Sequence, residues 1–209
     1  MVSCGMSLSY LGPIFSPYMK ATFPNISIPQ IGLLFTIASG IYALLAPVMG
    51  YISDKGLEGS LAVIGSFITA AGFLLLGPNP WLAKFIPISI PETVIALILF
   101  GVGAGGIMIP IFPLLYRMAR SCGLPDNLQT FGLVSGLFTS GFSLGAFLGP
   151  TLAGYLVNQY EFAWSSSVCG FLNIFTGVLL LVYILIMKAQ HRWPLRVPEE
   201  IVNTEEDNI

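Results

Sequence analysis

Few residues in this chain could take part in covalent chemistry. The single histidine, His191, stands beside Arg192 in a basic segment near the C-terminus, where a solvated ring is the expected state. Cys4, Cys122 and Cys169 lie far apart and form no Cys-x-x-Cys pair, so neither a disulfide framework nor a metal site is expected. Without a second histidine or paired carboxylates in the apolar segments, no nucleophile–base couple can be assembled. The expectation is therefore no enzyme, no metal and no cofactor. Small residues do recur with regular spacing. Gly141, Gly145, Gly149 and Ala153 fall four apart, with Pro150 and Gly154 beside them. On a helix this makes a flat stripe that another helix can approach closely, and the proline favours a bend. The available chemistry is helix contact and helix motion.

The elements that carry these residues follow from composition. Of 209 residues, 55% are hydrophobic and 9% charged, against about 25% charged in soluble domains. Eighteen ionisable acids and bases cannot cover a soluble surface of this size, and a net charge of −2 offers no field for nucleic acid. The sequence divides into six long stretches without Asp, Glu, Lys or Arg, each long enough to cross a bilayer. We expect an all-α membrane protein with helices at about 2–19, 31–52, 60–76, 93–116, 130–157 and 164–187. Residues 1–188 would form one six-helix bundle, and 189–209 a disordered acidic tail. The first stretch has the length of a signal peptide. It lacks a basic start, however, and Pro13 and Pro17 interrupt it, so it reads as a membrane helix.

Six crossings place both termini on one side. That side holds Lys55, Arg117, Arg120, Lys188, Arg192 and Arg196; the other holds Lys20 and Lys84. The positive-inside rule then predicts cytoplasmic termini. The sequon Asn25-Ile26-Ser27 falls in the first outer loop, and Trp81 and Trp164 fall near the outer interface. Pro13 and Pro17 in helix one, Pro47 in helix two, and Pro110 and Pro113 after four glycines in helix four suggest broken helices around a cavity, as in a transporter. Ala46-Pro47-x-x-Gly50 and Gly149-Pro150-x-x-Ala153 hint at a three-plus-three inverted repeat.

The loop after helix two reads Gly50-Tyr51-Ile52-Ser53-Asp54-Lys55. It resembles the signature loop of the major facilitator superfamily. The run from Gly145 through Gly149, Pro150 and Ala153 to Gly154 resembles that superfamily's antiporter motif, with Ala153 in place of a glycine. The loop departs from the family where a glycine and a basic pair are usual, because Leu57, Glu58 and Gly59 stand there. The resemblance implies a cytoplasmic latch in which Asp54, flanked by Gly50 and Lys55, pairs with Arg117 or Arg120 at the end of helix four.

Such transporters have two six-helix halves. Helix four carries no arginine before Arg117, and the loop motif is degenerate, so the chain resembles the C-terminal half. Within the family it is similar to the vesicular amine transporters, especially the polyamine-type branch. The similarity rests on Gly132 to Leu137, Ser143 to Leu152, and Leu11 to Pro17. By resemblance, relatives commonly carry an acid at the position of Gly12, and monoamine-type members carry acids aligning near Gly105 and Thr139; none of the three is acidic here. Proton coupling would then come from the absent half or be lacking. By resemblance, helices one, two, four and five face the substrate path. Ser9, Tyr10, Ser16, Tyr42, Ser135, Thr139, Ser140 and Ser143 are the candidate cavity residues, and the tyrosine rings are suited to a cation. Asn173 on helix six is expected to make a helix–helix hydrogen bond.

The functional expectation is half of a secondary active transporter for small organic cations. Its partners would be the lipid bilayer, an N-terminal half or a second copy, and the cation, with no nucleic acid. Its place would be an intracellular vesicle membrane or the plasma membrane. The competing expectation is a non-transporting subunit that docks through the small-residue face of helix five.

Overall fold

A computed structural model describes residues 1–77 and 89–189 of the chain. Trp81, Lys84, His191, Arg192, Arg196 and the acidic tail lie outside the described residues. The helices are α1 (Val2–Thr22), α2 (Ile28–Ile52), α3 (Glu58–Leu76), α4 (Ile90–Ser121) and a long run Leu128–Ala189. That run turns at Glu161 (φ 67°, ψ 166°), which divides it into α5 (128–160) and α6 (162–189). These bounds differ by a few residues from those expected from the charge-free stretches. The differences come from capping. Ser27 with Gln30, and Ser89 with Glu92, start α2 and α4 about three residues earlier than hydropathy suggests, each with a proline in the first turn. Asn127 accepts from the Thr130 amide (2.9 Å) and starts α5 in the same way.

Among the described residues three helical runs are long and apolar enough to cross a membrane: Ile28–Leu76, Ile90–Ser121 and Leu128–Ala189. The first and last are compound. Between α2 and α3 the chain tightens through a π-helical turn, Ser53–Leu57, in which Gly56 adopts φ 80°. A side chain there would be strained, so glycine is the residue that permits the turn. Glu161 is the one non-glycine residue at positive φ among the described residues. Such backbone costs about 1–3 kcal/mol and persists only where the surroundings impose it.

Glycines set the helix contacts. α3 and α4 run antiparallel with Gly65 against Gly103 and Gly106; a Cβ built on Gly65 would sit 2.6 Å from the Gly106 carbonyl carbon. Gly101 of α4 meets Ala38 of α2 in the same way. α1 packs parallel to α5 and antiparallel to α6: Val2 and Met6 face Gly145 and Gly149, while Ser7 and Tyr10 face Asn173 and Ser165. The pairing has the symmetry of a three-plus-three repeat. α1 packs on α5 and α6, and α4 packs on α2 and α3. α1 and α2 scarcely touch, which leaves a wedge between them.

Candidate substrate pathway and end-of-helix ion pairs

The wedge holds a cavity of about 300 Å³ between α1, α2 and α4. Leu8, Phe35, Phe100 and Met108 form its apolar wall, and Ser39 and Tyr42 of α2 supply its hydroxyls. Of the eight candidate cavity residues, Tyr42 lines this cavity. Ser39 was missed, although it lies one helical turn from Tyr42 on a helix already assigned to the path. Ser9 and Ser16 are half-buried on α1, Ser135 is half-buried on α5, and Thr139, Ser140 and Ser143 are exposed on α5. These six lie outside the cavity lining, on helices flanking an uncovered face.

Tyr10 belongs elsewhere. It is fully buried, its ring meets Phe73 edge to face, and its hydroxyl donates to the Ser165 carbonyl (2.7 Å). It joins α1 to α6 and does not line the cavity between α1, α2 and α4. Helical spacing carries the signal: Ser7, Tyr10, Leu11, Ile14 and Tyr18 share one face of α1, opposite Ser9, Gly12 and Ser16. Asn173 makes the expected helix–helix bond, its amide donating to Ser7 Oγ (2.8 Å). Ser166 of α6 donates to the Phe73 carbonyl of α3.

The helix-five motif is internal. Gly145 and Gly149 are buried against the backbone of α1, and a Cβ on Gly149 would lie 2.6 Å from the Met6 carbonyl oxygen. Gly141 touches Met1, and Ala153 is fully buried. Pro150 is half-buried within the helix, and Gly154 faces open space. The stripe is filled by the chain's own first helix, so it is not a free face for a partner, contrary to the docking expectation.

The latch is also built differently from expectation. Arg117 bonds Glu58 at 2.9 Å, not Asp54. Glu58 opens α3 and is 2% exposed, while Arg117 is 36% exposed, so the pair bridges interior and surface. Asp54 is exposed, in the π-helical turn that separates α2 from α3. Arg120 approaches Asp126 (4.0 Å) and donates to the Leu124 carbonyl (3.2 Å), closing the α4–α5 connection. Lys55 lies 4.4 Å from the Tyr51 ring centre, a cation–π contact. Gly50 has open space beside it, and a Cβ on Gly56 would sit 3.4 Å from Arg117 Nη1. The physical reason for the exchange is register: Glu58 sits in the first turn of the helix that packs on α4, whereas Asp54 still belongs to the turn.

Among the described residues every Asp, Glu, Lys and Arg lies within about a turn of a helix end or in a connection. The positions where an acid is absent differ in room. Gly12 and the exposed Thr139 have space for a larger side chain; at Gly105 a Cβ would meet Met49 Sδ at 2.8 Å and Tyr42 at 3.3 Å, so the methionine side chain would have to move aside. A cation in this cavity would be held by hydroxyls and ring faces, without a buried counter-ion. No group of three or more metal-ligating side chains occurs among the described residues.

Residues 1–206 match the Major Facilitator Superfamily. The chain belongs to that superfamily. It is an integral membrane protein of a transporter family, not an enzyme. It is 35% identical over 208 residues to the human MFS-type transporter SLC18B1, covering 98% of the chain and 44% of that protein. The rat MFS-type transporter SLC18B1 is 35% identical over 187 residues, 88% of the chain and 40% of the relative. The Phoma sp. MFS-type transporter eupM is 26% identical over 157 residues, 75% of the chain and 49% of the relative. The chain thus spans less than half the length of these relatives. No solved structure matches it.

Proposed function

We propose that this chain acts as the C-terminal six-helix half of a secondary transporter that moves small organic cations by alternating access. The observation that carries the reading is the uncovered face of α2 and α5. Gly32 and Gly40 on α2 and Gly132 and Gly136 on α5 have nothing within 4 Å, in contrast to the closely packed glycines of α3 and α4. Beside them stand Ser39 and Tyr42 on α2 and Thr139, Ser140 and Ser143 on α5. A second bundle laid on this face would bury the glycines and close a hydroxyl-lined, aromatic-walled cavity at mid-depth. The bundle would rock against its partner about this contact. The 35% identity to proteins named as MFS-type transporters supports the class of activity.

Both termini are assigned to the cytoplasm, from the distribution of Lys and Arg, in an intracellular vesicle membrane or the plasma membrane. Any proton coupling resides in the N-terminal half, because the described acids stand near helix ends. The test starts with an antibody to the tail: a native band near twice 22.5 kDa identifies the complete transporter. That polypeptide, in proteoliposomes, is expected to take up a radiolabelled organic ammonium, and Tyr42→Leu to raise its KM. Absence of cation uptake with and without a pH gradient would refute the reading.

A further inference from the structure

A second cavity, of about 660 Å³, lies between α1 and the α5–α6 junction. None of the candidate pathway residues lines it. Its walls are Pro13 and Pro17 of α1, Gly154 and Asn158 of α5, and Tyr18 stacked face to face on Phe162 (ring centres 3.7 Å apart, 11° between planes). Glu161 stands at the junction end.

Glu161 is the unusual member. It is exposed, no ion pair to it occurs among the described residues, and its backbone is held in a region that glycine tolerates and glutamate does not. The N-terminus of α6 favours an acid at this point, but that preference needs no positive φ. Glu161 lines the same groove as this aromatic pair, at the junction where α5 turns into α6. A carboxylate and aromatic ring faces both attract positive charge. A hard metal ion needs several oxygen ligands, and the groove offers one carboxylate and one amide against prolines, glycine and rings. An alkyl-substituted cation suits that surface.

We propose that this groove binds an organic ammonium group, with Glu161 as counter-ion and the Tyr18–Phe162 pair as its aromatic wall. The ammonium arrives either on a free cation or on the headgroup of a lipid. The groove shares no lining residue with the cavity between α1, α2 and α4, and the proposal does not rest on the transport reading, because it is tested by binding without flux.

The experiment titrates the chain, in nanodiscs of phosphatidylglycerol, with benzylammonium and with benzyl alcohol, by calorimetry. Benzylammonium is expected to bind and the alcohol to bind at least about tenfold more weakly, as a charge-assisted contact requires. Glu161→Gln should weaken benzylammonium about 10- to 100-fold. Glu161→Gly should abolish binding while raising the thermal midpoint, because it removes the backbone strain. Equal binding of the two probes, no binding of benzylammonium, or wild-type affinity in both Glu161 variants would overturn the proposal. In phosphatidylcholine nanodiscs, loss of benzylammonium binding assigns the groove to the lipid headgroup; unchanged binding assigns it to a free cation.

Discussion

α1 holds its two neighbours by opposite means. Against α5 it makes a contact of backbone on backbone, with Gly145 and Gly149 pressed on Val2 and Met6. Against α6 it makes a contact of side-chain polar groups, Ser7 to Asn173 and Tyr10 to Ser165, inside an apolar core. The first contact depends on shape alone; no side-chain hydrogen bond crosses it among the described residues, so a small slide breaks nothing directional. The second is directional, and sliding would leave an amide and hydroxyls unpaired in hydrocarbon, which is costly. The difference sorts the bundle into a fixed part, α1 with α6 and α3, and a part that can tilt, α5. In a transporter that rocks, α5 is the side expected to move.

Substitutions can break this comparison, beginning with the largest effect. Gly145→Leu drives a side chain into the backbone of α1, where even a Cβ meets the Met6 amide at 2.8 Å. A loss of about 3 kcal/mol or more is expected, read as a collapse of the thermal midpoint in detergent. Glu58→Ala leaves Arg117 without its partner at a half-exposed position, and about 1–2 kcal/mol should be lost. Asp54→Asn, in the adjacent turn, should change stability by less than about 0.5 kcal/mol. A reversed order of these two would restore Asp54 as the latch residue. Asn173→Ala removes the α1–α6 amide bond and should cost about 0.6–1.7 kcal/mol. Its effect should exceed that of Thr139→Ala on the open face. Gly136→Ala should stabilise the isolated chain by up to about 1 kcal/mol, since the added methyl meets nothing and helix propensity rises. In the complete transporter the same change should slow flux, because the partner bundle closes on it.

The helices were legible because charge is excluded from hydrocarbon, so the gaps between charges are the spans. Motif spacing marked Gly145, Gly149 and Ala153 as a contact face but not whose contact it was. Within one bundle or between two, the same small residues serve, and only the placement of Val2 and Met6 decides. The ion pair was misassigned for a similar reason. The signature loop drew attention to Asp54, although Glu58, one turn later, is the acid at the mouth of a long apolar helix and therefore the one that packing buries. Tyr10 was misplaced by treating α1 as uniform; the wheel positions of Ser7, Ile14 and Tyr18 already put it on the inner face. The cavity at Glu161 had no sequence signal, because a left-handed glutamate looks like any other glutamate until the backbone is known.

Of the three thiols, two are buried inside the bundle, at Cys4 and Cys169, and Cys122 alone is exposed, directly after α4. It sits at the same end of the bundle as the Glu58–Arg117 pair, next to the Arg120 that closes the connection. A charged maleimide that cannot cross a bilayer will therefore find one exposed target among the described residues. Added to sealed vesicles it labels the protein only where that connection faces the reagent, so the chain carries a built-in reporter of its own sidedness without any residue being introduced.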